Sequence, residues 1–199
     1  MNVTIIEYGA GNLFSVRAAV ERLGHVAAPG STPDDLRAAD RVIFPGVGQA
    51  LSASEKLRAT GLADVIPALR VPVLGICLGM QLMCERSEEG DTEGLGIFPT
   101  AAQRFGEGCK VPHVGWNRIS GGRSPLFDGI DDGAWFYFVH SYYLPVNPLQ
   151  LAGCHYQLPF CAAIGRDNFL GCQFHPEKSG DAGERLLRNF LAWDGHGRA

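Results

Sequence analysis

Cys77 stands in the stretch Val73-Leu74-Gly75-Ile76-Cys77-Leu78-Gly79-Met80-Gln81, where an apolar run gives way to a helical pattern. Glycines two residues to either side permit a sharp turn that pushes the central side chain outward. The helix that follows begins with backbone N–H groups free to favour a thiolate and to hold an oxyanion. A lone cysteine is ordinarily a small core residue. Here the two glycines at a strand-to-helix junction favour a nucleophile. Peptidases and other hydrolases use similar turns, so the motif alone leaves the substrate open.

A second chemical stretch, Gly171-Cys172-Gln173-Phe174-His175-Pro176-Glu177-Lys178, lies near the other end. In extended chain, residues two apart face the same side. Pro176 fixes its own φ and biases His175 towards an extended conformation. The spacing therefore predicts a Glu177 carboxylate beside the His175 imidazole, holding its tautomer and stabilising its charge. By itself H-x-E reads as a surface pair; with the turn at Cys77 it completes a Cys-His-Glu triad of Cys77, His175 and Glu177. His25, His155 and His196 have no such context and read as structural or surface residues. A third stretch, Phe44-Pro45-Gly46-Val47-Gly48, follows an apolar run, and its glycines allow backbone amides to approach a ligand closely.

These stretches must be positioned by the elements around them. Val3 to Ile6 reads as a strand, ending in the turn Tyr8-Gly9-Ala10-Gly11. Asn12 can cap a helix from Leu13 to Leu23 that Gly24 stops. Ser31-Thr32-Pro33-Asp34-Asp35 starts a second helix. Arg41 to Phe44 reads as a strand, Leu51 to Leu69 as helical with a break at Gly61, Val71 to Ile76 as a strand, and Leu78 to Arg86 as a helix. Alternating strand and helix indicate a parallel sheet covered on both faces. After Gly96 short strands dominate: Trp116 to Ile119, Trp135 to Val139, Leu151 to Tyr156, Cys161 to Arg166 and Phe169 to Phe174. A last helix runs from Asp181 to Trp193, with a frayed polar tail from Asp194 to Ala199. The expected fold class is α/β: a central, mostly parallel sheet flanked by helices, with an antiparallel β-rich second half. Residues 1–199 read as one domain.

Composition narrows the function. Of 199 residues, 46% are hydrophobic and 19% charged, which fits a globular domain with a sizeable core. A net charge of -4 argues against a nucleic-acid surface. No apolar run is long enough to span a bilayer, and the N-terminus has no export signal pattern, so the cytoplasm is the expected compartment. The six cysteines (Cys77, Cys84, Cys109, Cys154, Cys161 and Cys172) form no C-x-x-C pair and, Cys77 aside, read as reduced, buried residues. Cys/His spacings give no zinc site, and no cofactor or metal is expected.

The three stretches P-G-V-G, G-I-C-L-G-M-Q and Q-F-H-P-E-K-S-G occur in the order shown by class I glutamine amidotransferases, which this chain resembles. The resemblance implies that Cys77 is the nucleophile, His175 the general base and acid, and Glu177 its orienter. It implies an oxyanion site from the backbone of Val47, Gly48 and Leu78. Gly46, Gln81, Glu89, His140, Ser141 and Tyr142 match positions that bind the substrate, L-glutamine. Glu89 suits the α-ammonium, and equally reads as a solvated acid. Further segments, Tyr8-Gly9-Ala10-Gly11-Asn12-Leu13, Val111-Pro112-His113-Val114-Gly115-Trp116-Asn117 and Tyr137-Phe138-Val139-His140-Ser141-Tyr142, look like a branch of the family that serves histidine biosynthesis. In that branch ammonia crosses to a (β/α)8 cyclase subunit. There it reacts with a phosphoribulosyl intermediate to give imidazole glycerol phosphate and an aminoimidazole carboxamide ribotide. Such barrels run to about 250 residues. The implied partner is therefore a separate chain, in a heterodimer. Asn12, His113, Trp116, Asn117, Tyr137 and Lys178 match positions near that interface, with ordinary core packing as the competing explanation for the aromatics.

Two positions depart from the family pattern: Glu7 stands where Asp is expected, and Ala50 where an aromatic is commoner. The competing readings are a cysteine peptidase or esterase of α/β form, and a catalytically silent binding subunit. Gln81 and the V-P-H-V-G-W-N segment count against the first, and the complete triad against the second.

Overall fold

The computed structural model describes residues 1–9, 11–108 and 110–195. Ala10 of the first turn, Cys109, and the tail 196–199 with His196 lie outside the described residues. Strand β1 (Asn2–Ile6) leads to helix α1 (Leu13–Arg22), where Asn12 Oδ1 accepts the Ser15 N–H at 3.2 Å as the expected cap. Strand β2 (Val26–Gly30) pairs in parallel with β1. Sequence reasoning assigns no strand there, because Ala27-Ala28-Pro29-Gly30 is poor in strand formers. The position of β2 at the sheet edge tolerates its proline. Helix α2 (Pro33–Arg37) opens with a reciprocal cap between Thr32 and Asp35. Strand β3 (Arg41–Gly46) follows, then helix α3 (Ala50–Ala59), broken at Gly61 (φ 72°) before α4 (Leu62–Val65).

Strand β4 (Val73–Cys77) runs directly into helix α5 (Leu78–Leu82). The helix expected to reach Arg86 stops at Leu82, and Cys84–Ser87 is instead strand β5. Tertiary hydrogen bonds explain this. The carbonyls of Leu82, Met83 and Cys84, which a longer helix would use, accept the N–H groups of Leu95 (2.8 Å), Ile97 and Phe98 (2.9 Å each) and Gly96 (3.0 Å). Strands β6 (Thr92–Glu93), β7 (Phe98–Arg104), β8 (His113–Ser120), β9 (Trp135–His140), β10 (Tyr142–Tyr143), β11 (Gln150–Tyr156), β12 (Leu158–Arg166) and β13 (Phe169–Cys172) precede the last helix, α6 (Gly180–Ala192).

The main sheet has nine strands in the order β2-β1-β3-β4-β13-β12-β11-β8-β9. Its β2-β1-β3-β4-β13 block is parallel, and every later pairing is antiparallel. A smaller sheet, β10-β7-β5-β6, lies beside it. Alternation along the parallel strands sends side chains into two apolar layers. Ile5, Ile43, Leu74 and Ile76 join Val16 and Val20 of α1 and Leu187 and Phe190 of α6. Ile6, Val42, Phe44 and Val73 join Leu57 of α3 and Met80 of α5.

The step that positions the chemistry is the return of β13. It lies parallel to β4, with Cys172 opposite Ile76. Residues just past β13 therefore arrive beside Cys77, although they are about a hundred residues away in sequence. Both strands end at the same carboxyl edge, where open α/β sheets bind ligands. Among the described residues no helix is long and apolar enough to cross a membrane, and no group of three or more His, Cys, Asp or Glu is arranged to hold a metal ion.

The two-layer core predicts a contrast between two phenylalanines. Phe190 is fully buried under the sheet, whereas Phe14 is 82% exposed. Phe190→Ala should lower the unfolding free energy by about 3–5 kcal/mol, and Phe14→Ala by less than about 0.5 kcal/mol. Urea unfolding of the two variants checks this; equal losses would contradict the layering.

Candidate active site

Cys77 itself carries the strain of the turn, with φ 54° and ψ -111°. Such a backbone costs an L-residue about 1–3 kcal/mol and persists only when its surroundings over-determine it. The flanking glycines act differently from the sequence expectation. Neither Gly75 nor Gly79 is at positive φ; their role is clearance. A Cβ on Gly79 would lie 1.9 Å from the Phe44 carbonyl oxygen, and one on Gly75 would lie 2.3 Å from Met83 Cε. One on Gly46 would meet Gly79 N at 2.6 Å, and one on Gly171 would meet Met80 Cγ at 2.5 Å. Four glycines thus let α5 settle onto β3, β4 and β13, which pins the turn at Cys77. The thiol is buried, with Sγ 3.7 Å from the Val139 carbonyl oxygen, an acceptor for S–H.

His175 reaches the same place from β13. Its backbone is extended (φ -102°, ψ 93°), as Pro176 dictates, but Pro176–Lys178 then forms a 3-10 turn. Glu177 comes alongside His175 through that turn, not through strand alternation. Its Oε1 lies 2.8 Å from His175 Nδ1, with the two side chains only 3% and 1% exposed. Three further bonds hold the segment. The His175 N–H donates to the Tyr137 carbonyl (2.9 Å), Ser179 Oγ donates to the His175 carbonyl (2.6 Å), and the Tyr137 N–H donates to Ser179 Oγ (3.0 Å).

The electrostatics of His175 follow from its surroundings. Burial pulls the imidazole pKa down, and hydrogen bonding and charge from Cys77 and Glu177 more than offset this, lifting it to about 10. The protonated ring is thereby favoured at neutral pH. Glu177 holds Nδ1, while Nε2 is buried and has no partner at full hydrogen-bond geometry. That edge remains for the thiol and for a bound substrate, where such bonds tighten on binding.

Cys77 and His175 line one cavity of about 360 Å³, together with Val47, Gly48, Leu78, Gln81, Glu89, His140, Ser141 and Tyr142. Gly46 does not line it; it sits beneath, opposite Cys77 in the β3–β4 register. Glu177 supports the ring from behind. Gly48 has φ 97° and open space around it, so the Val47–Gly48 peptide is uncrowded. Glu89 has a structural partner as well: its Oε2 accepts the Ala50 N–H at 2.8 Å, at the start of α3. Ala50, where an aromatic is commoner in the family, is fully buried there.

The candidates for a partner surface divide by strand parity. Trp116 is 52% exposed, edge-on to Tyr137 at 6.1 Å, and Lys178 Nζ lies 5.9 Å from the Tyr137 ring centre. His113 and Asn117, on the opposite face of β8, turn inward. His113 is 3% exposed, stacks on Tyr156 at 4.0 Å and bonds to His140, so it does not belong to the exposed patch. Asn12 caps α1. One residue to which sequence reasoning gives no role is Gln173, whose Nε2 lies 3.6 Å from Cys77 Sγ. The available signal was an amide side chain between Cys172 and Phe174 at the end of a buried strand.

A thiol on a strained turn beside an imidazole that favours its charged form can attack and cleave a carbonyl compound. Comparison with known proteins narrows the chemistry. Residues 5–193 match the glutamine amidotransferase class-I family model. The chain is 53% identical over 194 residues to imidazole glycerol phosphate synthase subunit HisH of Bacteroides fragilis, covering 96% of this chain and 99% of that one. It is 50% identical over 196 residues to the subunit of the same name from Escherichia coli K12, with the same coverage. A solved glutamine amidotransferase superposes with a TM-score of 0.75 at 19% identity, over 95% of this chain and 97% of that one, which speaks for the fold alone. The chain belongs to the class I glutamine amidotransferases.

Proposed function

We propose that this chain is the glutaminase subunit of an imidazole glycerol phosphate synthase, acting in histidine biosynthesis as a single amidotransferase domain. It hydrolyses L-glutamine to glutamate and ammonia with Cys77, His175 and Glu177. The observation that carries the reading is the convergence of Cys77 and the buried His175–Glu177 pair on one cavity, in a chain half identical to subunits of that name.

The chemistry follows from the geometry. The Cys77 thiolate attacks the side-chain carbonyl carbon of glutamine, and the carbonyl electrons move to oxygen. Backbone N–H groups of Leu78 and of the Val47–Gly48 turn hold that oxyanion. As it collapses, His175 gives its proton to the leaving nitrogen, and ammonia departs from a thioester. Neutral His175 then takes a proton from water, whose oxygen attacks the thioester and releases glutamate, restoring the thiolate and the imidazolium. Glu177 keeps Nδ1 protonated and Nε2 turned to the reaction. Gln81, Glu89, His140, Ser141 and Tyr142 form the walls that bind glutamine. Glu89 divides its carboxylate between the Ala50 amide and the substrate ammonium.

The ammonia goes to a separate (β/α)8 cyclase subunit in a cytoplasmic heterodimer. That cyclase releases imidazole glycerol phosphate and an aminoimidazole carboxamide ribotide, the lyase half of the reaction. Trp116, Tyr137 and Lys178 suit such an interface, since Trp and Tyr anchor protein contacts and exposed Trp116 packs edge-on to half-buried Tyr137. Lys178 also lies three residues beyond His175, so the patch adjoins the site. The glycines of the Val47–Gly48 turn leave its amides free to reorient when the partner binds. The reading includes neither a nucleic acid nor a membrane, and no cofactor or metal.

Two outcomes test this reading. Cys77→Ala should lower glutamine turnover by at least about 10³-fold while the thermal midpoint stays within a few degrees. A variant that unfolds, or one that still releases ammonia, would remove Cys77 from the chemistry. The second test is pH. The imidazolium loses its proton as pH rises through about 10. Ammonia expulsion should therefore decline on that alkaline side. Glu177→Gln removes the carboxylate that favours the charged ring, so this limb should move to lower pH and kcat should fall by about 10²–10⁴-fold. A pH–rate profile unmoved by the substitution would exclude Glu177 as the orienter.

A further inference from the structure

Gln173 follows the last residue of β13 and is fully buried. Its neighbours dictate which end of its amide meets the cysteine. The starting point is the Tyr142 carbonyl oxygen, which can only accept. Gln81 bonds to it at 3.0 Å and must therefore turn its Nε2 that way. The other proton of that nitrogen reaches Gln173 Oε1 at 2.9 Å. Gln173 is left with Nε2 towards Cys77 Sγ, 3.6 Å away. The sulfur thus faces an N–H and not a carbonyl oxygen.

The Tyr142 oxygen is held from its other side by His140, whose Nδ1 lies 2.7 Å away and so carries a proton. Burial pushes the His140 pKa down to about 3, so the ring is neutral and its Nε2 accepts. The donor is His113 Nδ1 at 2.9 Å. Burial pulls His113 down to about 4, so its Nε2 accepts in turn from Asn117 Nδ2 at 3.3 Å. Every link has one polarity. Reversing any of them would set donor against donor, or acceptor against acceptor, inside the core.

We propose that Gln173 is a positioning residue for the amide-cleaving reaction: it aims an N–H donor at the Cys77 sulfur, held in that orientation by Gln81, the Tyr142 carbonyl, His140 and His113. This rests on the reading of Cys77 as the nucleophile. A donor bonded to the charged form of an acid stabilises that form, so the Gln173 amide favours thiolate over thiol. It does so without adding a charge to the site. The bond also fixes the direction of the sulfur, which attack on a carbonyl requires.

The test is the pH dependence of Cys77 alkylation by iodoacetamide, followed by peptide mass spectrometry, with kcat and KM for glutamine measured alongside. Gln173→Met keeps the length and removes the donor. The alkylation midpoint should rise by about one pH unit and kcat should fall about tenfold, with KM unchanged within about twofold. If Gln173→Met does not fold, Gln173→Glu keeps the shape and turns an oxygen to the sulfur, and its midpoint should rise at least as far. A purely structural role would change the thermal midpoint and leave the alkylation profile alone. An unmoved profile in a folded variant overturns the proposal and leaves the reading of Cys77 intact, provided Cys77→Ala is inactive. Failure of wild-type Cys77 to alkylate, or turnover by Cys77→Ala, would overturn both.

Discussion

The backbone of Cys77, at φ 54° and ψ -111°, occupies a region that L-residues seldom enter, and the surrounding fold keeps it there. Strand β4 is hydrogen-bonded on both sides, to β3 and to β13, so the last residue of the strand cannot relax sideways. Helix α5 starts at the next residue and lies so close to three strands that Gly46, Gly75, Gly79 and Gly171 have no space for a side chain. Together these contacts leave the thiol lining the cavity, at the point where β4 passes into α5. Larger side chains at those four glycines would lift the helix and relax the turn, so the strain and the close packing are one device.

The second half of the site depends on the same sheet. Because β13 runs parallel beside β4, the peptide beyond it arrives at Cys77 without a long loop. The 3-10 turn at Pro176 folds Glu177 back on His175, and Ser179 and Tyr137 lock that turn to β9. A buried imidazole–carboxylate pair is costly to form unless each charge finds a partner. Here Glu177 holds Nδ1, and the proximity of Glu177 and Cys77 tips the ring towards its charged form despite burial. Exposed Trp116 and Lys178 flank half-buried Tyr137, which lies on β9 and whose carbonyl accepts the His175 N–H.

Much of this was legible in the residues. The Asn12 cap and the helix break at Gly61 have local causes, and the structure shows both; the turn at Cys77 and the His175–Glu177 contact are present as well, but the first is held by distant strands and the second by a 3-10 turn. What sequence could not supply was set by distant partners. Residues 84–86 read as the end of a helix, yet Leu95–Phe98 take the carbonyls that its continuation would need. β2 and β7 are poor in strand-forming residues, with Pro29 and Pro99 inside them, and are held by pairing with neighbouring strands. The direction of His113 depends on the parity of β8, which no short motif reveals. Gln173 was hidden for a related reason: its importance lies in an amide orientation dictated by a carbonyl thirty-one residues away.

If Cys77 is the nucleophile, it forms a covalent bond to the glutamine side chain during turnover. The direct measurement is mass spectrometry of the protein quenched with acid while it turns over glutamine. The expected result is a glutamyl group, left on sulfur as a thioester when ammonia is expelled, on the peptide that contains Cys77, and its absence in Cys77→Ala. Ammonia release with no adduct, or with the adduct on another cysteine, would contradict it.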